Sequence, residues 1–120
     1  MRSEPEQLLR RLSIGDQTLL RSVLTPTPEF GPSAPLAGQG LDRRLRALVR
    51  VAALLVIGAP TATLHWAVEL ALSTGASTEA VVDVLVATAG QSGAAQVVSS
   101  APRLALALGF DLELDTWDGA

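Results

Sequence analysis

The chain of 120 residues has no cysteine and no tyrosine, a single histidine, and only two Trp and two Phe. Without thiols it can form no disulfide, run no thiol redox chemistry and hold no metal through sulfur. His65 as the only imidazole makes a histidine-based metal centre unexpected too, and no cofactor is anticipated. Scarce aromatics leave the interior to Ala, Val and Leu, through which helices approach closely. Positive charge is also in short supply: nine Lys and Arg against twelve Asp and Glu give a net charge of −3. Nucleic acid is therefore not an expected partner, because its binding needs clustered cations to neutralise phosphates. In the one basic run, Arg43, Arg44, Arg46 and Arg50, the first three at least fit the solvated start of a helix. The longest apolar run, residues 80–98, is interrupted by Asp83, Gln91, Gln96 and two glycines. Those polar groups are costly in lipid, so a buried helix is expected there and no membrane partner. The opening MRSEPEQLLRR carries acids and no apolar stretch of signal-peptide length, which makes the cytoplasm the expected compartment.

What the chain does have is apolar mass. Hydrophobic residues make up 48% and charged residues 18%, enough to build a core. A domain this small leaves much of its surface outside. At a mean hydropathy of +0.36, some apolar helix faces must find cover beyond the monomer, so a homo-oligomer is expected.

Hydrophobic periodicity and capping signals divide the chain into residues 1–40, an N-terminal helical arm with a Pro/Gly-rich connector, and residues 41–120, an all-α core with an acidic tail. In the arm, residues 4–12 suit a short helix, and Asp16 caps a second that ends at Thr25-Pro26. Residues 25–40, with four prolines and three glycines, read as a loop. Asp42 caps a helix through Ile57, with Leu45, Leu48, Val49, Ala52, Leu55 and Val56 expected on its inward side. Gly58 ends that helix and Pro60 falls in the first turn of the next, which runs to about Thr74 before Gly75. Ser77 caps a third long helix expected to reach about Ala89, with Glu79 in the first turn where the helix dipole favours an acid. Gly90 and Gly93 mark either a kink or a close backbone approach. The last helix covers residues 94–108, disturbed near Pro102, with Ser99 or Ser100 starting a new turn as a cap. In the tail, Phe110, Leu112, Leu114 and Trp117 alternate with acids, a pattern for an arm that docks on its own or a neighbouring subunit, or else frays.

The stretches LDRRLRALVRVAALLVIGAP, LHWAVELALSTGAS and TEAVVDVLVATAGQSGAAQVV resemble the carboxymuconolactone decarboxylase and alkylhydroperoxidase AhpD-like family over residues 41–108. The ending PRLALALGFDLE is similar to a cysteine-less subgroup common among actinobacterial members, with no assigned function. The resemblance implies an AhpD-like helical fold with a central buried hairpin, trimers or hexamers, and small-molecule pockets near the subunit contacts. The departures are equally specific. The positions of the family's paired cysteines fall on Pro60 and Thr63, its histidine on Ala67 and its glutamate on Ala47. Thiol peroxidase activity is excluded. His65 lies two residues before the family position, about 200° around a helix, and does not inherit its role.

The residues left to carry chemistry are few. His65 and Glu69, four apart on one helix face, are the candidate catalytic pair, the carboxylate orienting the imidazole for acid/base work on a carboxylated or lactone-type metabolite. Trp66 and Gln91 are the candidate substrate-binding residues, a large apolar wall and a buried amide. Asp83, in an apolar helix, is expected to pair with Arg50 or Arg103. Against this stands a non-catalytic oligomer of the same fold, binding a metabolite or serving as a scaffold.

Overall fold

A computed structural model describes residues 4–24 and 41–110. The expected loop over residues 25–40 and the acidic tail after Phe110 lie outside the described residues. The described chain is all-helical, six α-helices with no strand among them, and no helix among those described is long and apolar enough to cross a membrane. The chain divides into two compact units, residues 1–41 and residues 42–120.

In the first unit, α1 (Glu4–Ser13) and α2 (Gln17–Leu24) are joined at Gly15, whose φ of +72° is a conformation that glycine adopts at little cost. Asp16 holds this turn. One carboxylate oxygen accepts the Leu19 N–H at 3.1 Å, capping α2, and the other accepts Arg11 Nε at 2.8 Å. The Arg11 hydrogen bond is the main reason the Asp16 carboxyl sits below its ordinary pKa, followed by the bond from Leu19.

The second unit contains α3 (Arg43–Ile57), α4 (Thr61–Ser73), α5 (Thr78–Ser92) and α6 (Ala94–Ala107). Local chemistry sets most of the boundaries. The Asp42 carboxylate accepts the Leu45 N–H at 2.8 Å and the Ser77 hydroxyl accepts the Ala80 N–H at 3.0 Å, each satisfying a donor that a helix start leaves open. Gly58, at φ +70°, ends α3 in the left-handed conformation, and Pro60 precedes α4. α3 lies against α4 and α5, and α6 packs against the same two helices and touches α3. Between them Ala47, Val51, Leu55, Leu64, Ala67, Val68, Ala71, Val81 and Leu104 form a core closed to water. Its small side chains fit the scarcity of aromatics.

Several expectations need correction. The inward stripe of α3 is Ala47, Val51 and Leu55, whereas Leu45, Val49 and Val56 are exposed. The helix carries two apolar stripes of the same period, and only one meets the core. α5 continues past Ala89 to Ser92 with Gly90 inside it, and the chain breaks at Gly93 alone, at φ +87° and ψ 163°. No atom crowds the Cβ position of either glycine, so close backbone approach is not the reason for them. α6 runs unbroken through Pro102. Val98, whose carbonyl loses its partner to the proline ring, is exposed, so that carbonyl stands on the solvated face. Ser99 and Ser100 are thus interior helix residues, not caps, and Ser100 is fully buried.

Candidate functional site

α4 positions the candidate pair. Its inward residues, Leu64, Ala67, Val68, Leu70 and Ala71, recur at helical spacing and press against the core. The intervening positions His65 and Glu69 are thereby turned outward, one helical turn apart. His65 Nε2 and a Glu69 carboxylate oxygen stand 3.1 Å apart, with the side chains 47% and 65% exposed. The carboxylate can fix the imidazole's orientation, and the pair can exchange protons with anything that reaches this face. Both side chains stand open to water on this face.

Trp66 is half-exposed beside them. Its ring is covered by the Arg50 guanidinium of α3, with Cζ 5.5 Å from the ring centroid, within the range of a cation–π contact. Arg50 is one of the two partners that the sequence suggests for Asp83. Asp83 is in fact exposed on α5, where a carboxylate needs no buried partner. The other candidate partner, Arg103, donates from Nη1 to the Ala59 carbonyl at 2.6 Å in the turn between α3 and α4.

Gln91 is exposed near the end of α5, and among the described residues no hydrogen bond joins it to His65, Trp66 or Glu69. Its expected burial fails because α5 has a single fully buried residue, Val81. The structure therefore brings His65, Trp66, Glu69 and Arg50 to neighbouring positions on α3 and α4 and leaves Gln91 on another helix. The half-buried amide of this unit is Gln96, which donates to the Leu55 carbonyl at 3.0 Å and lies 3.5 Å from the Ser100 hydroxyl. Its signal in the sequence was an amide within an otherwise apolar helix.

Ala47 and Ala67, where the resemblance would place a carboxylate and an imidazole, are both closed to water within one core cluster. An open depression on α1, lined by Glu6, Leu9, Arg10 and Ser13, shares no residue with the α4 group. Among the described residues, no three His, Asp or Glu side chains come together as metal ligands would. No protein-family model, curated protein or solved structure matches this chain.

Proposed function

We propose that the chain is a non-catalytic, self-associating helical module of the carboxymuconolactone decarboxylase and AhpD-like type, working in the cytoplasm as a scaffold or metabolite-binding protein. One observation carries this reading: Ala47 and Ala67 sit in a core closed to water. Where the resemblance calls for a reactive pair there are two methyl groups packed among aliphatic side chains. The absence of cysteine removes the peroxidase relay independently. The exposed apolar residues on α3 and α5 support self-association, since a soluble monomer seldom leaves such faces in water. Light scattering at micromolar concentration is expected to give a multiple of 12.5 kDa, with a trimer or hexamer as the proposed states; a monomer mass rejects the oligomer.

The second reading, acid/base chemistry on a carboxylated or lactone-type metabolite, is favoured by the His65–Glu69 contact of 3.1 Å beside Trp66. In an assembly, a neighbouring subunit could enclose that face. Turnover of such a metabolite that is lost in His65→Ala while the oligomer persists would establish this reading over the first.

A further inference from the structure

The last turn of α1 carries a pattern that packing does not explain. Arg10 and Arg11 are followed by Leu12, Ser13 and Ile14, so a hydroxyl has cations three and two residues before it and an apolar side chain directly after it. No other Ser or Thr in the sequence has an arginine at either of those two positions. Arg10, Arg11 and Ser13 are exposed, and Ile14 is 74% exposed. Arg10 and Ser13 also line the same open depression, with Glu6 and Leu9. Arginines in a last turn complement the helix dipole, which accounts for the charges but not for the hydroxyl and the apolar residue presented beside them.

Serine kinases whose substrate groove is lined by carboxylates select sites by such charge patterns, since a guanidinium meets a carboxylate through paired, charge-assisted hydrogen bonds. The groove takes its substrate extended, so this turn must open. α1 buries none of its residues, and opening its end therefore gives up few packed contacts. Arg11 is held by Asp16 at 2.8 Å, yet its side chain is 51% exposed. An ion pair so open to water contributes little and is readily exchanged for another carboxylate.

We propose that Ser13 is the phosphoacceptor of a serine kinase with an acidic substrate groove, and that the phosphate releases the α1–α2 turn by drawing Arg11 away from Asp16. In the transfer, a bond forms from Ser13 Oγ to the γ-phosphorus of ATP as the bond from that phosphorus to the bridging oxygen breaks. ADP leaves, and the hydroxyl proton passes to the kinase's catalytic aspartate. The ester oxygen no longer has a proton to donate, so the 2.9 Å hydrogen bond from Ser13 Oγ to the Arg10 carbonyl is lost. A charge of about −1.5 to −2 now stands at the end of α1, where the helix dipole disfavours an anion. That charge also competes with the Asp16 carboxylate for Arg11. The site lies within the first unit and does not depend on self-association.

Incubating the full chain with ATP and a soluble extract of the cells that make it tests the site by mass spectrometry. Phosphate should appear on Ser13, and Arg10→Ala should slow its incorporation at least about tenfold, as removal of one partner from a charge pair does. No phosphate on Ser13 overturns the site, and an undiminished rate in Arg10→Ala overturns the acidic groove. The purified catalytic subunit of cyclic-AMP-dependent protein kinase then supplies phosphorylated chain for hydrogen exchange. The Leu19 amide, which Asp16 caps, should exchange severalfold faster once Ser13 carries phosphate. In Arg11→Ala, where that amide is already loosened, phosphate should add little. Exchange that phosphate leaves unchanged, or speeds equally in Arg11→Ala, overturns the release of the turn.

Discussion

The Gln96 side-chain amide of α6 lies 2.8 Å from the place where a Cβ on Gly58 would stand, while donating to the Leu55 carbonyl 3.0 Å away. One amide thus reaches the end of α3 and occupies the space that the glycine leaves open. Any side chain at position 58 faces two penalties, a left-handed φ of +70° and the loss of the Gln96 position.

Gly58→Ala should therefore destabilise the fold by about 1–3 kcal/mol, and Gln96→Ala by about 1 kcal/mol. The double variant should cost less than the sum, because removing the amide clears the space for the new methyl. Urea denaturation of the four proteins checks this, and strict additivity would disprove the contact.

Leu55→Ala should cost about 2–5 kcal/mol, since it empties part of a core closed to water. Val49→Ala should change stability by no more than about 0.5 kcal/mol. Equal costs at the two positions would mean that the wrong stripe of α3 has been assigned to the core.

This comparison also marks how far the sequence could be read. Asp42, Ser77 and Gly58 act within a few residues of themselves, so capping chemistry located the ends of α3 and the start of α5. The inward face of α3 was not legible in the same way. Leu45, Val49, Ala52 and Val56 share a period with Ala47, Val51 and Leu55, and periodicity does not say which stripe points inward. The expected set mixed members of both. Gly90, Ser100 and Pro102 were read as interruptions because each weakens a helix in isolation; packing of α5 and α6 against their neighbours overrides those local preferences. At the candidate site, the four-residue spacing of His65 and Glu69 was sufficient to foresee their contact. Spacing carried no information about exposure, and so Gln91 and Asp83 were both expected inside a helix that turns them outward.

The lowered pKa of Asp16 makes the first unit sensitive to acid. A carboxyl with a depressed folded-state pKa contributes its stabilisation above the unfolded value of about 3.9 and loses it as pH falls through the folded value. The α1–α2 turn should accordingly loosen below roughly pH 4. Arg11→Ala removes the largest cause of the depression, so the Asp16 titration followed by NMR should move upward. An unchanged midpoint would disprove the role assigned to Arg11.

Replacing His65 by Ala should leave thermal stability nearly unchanged, within about 0.5 kcal/mol, because an exposed i,i+4 pair contributes little. A large loss measured by calorimetry would show that the pair supports the fold, and any activity change in that variant would then need a different explanation.

The two long-range bonds of α6, from Gln96 to Leu55 and from Arg103 to Ala59, give synthesis an order. Their acceptors leave the ribosome some forty residues before their donors. Until α6 emerges, the nascent α3–α4 hairpin carries its terminal carbonyls unclasped and lacks the Leu104 side chain that completes its core. Native stability in this unit arrives only with α6, the last of its described helices, and the intervening interval is when the growing chain depends most on whatever shields it.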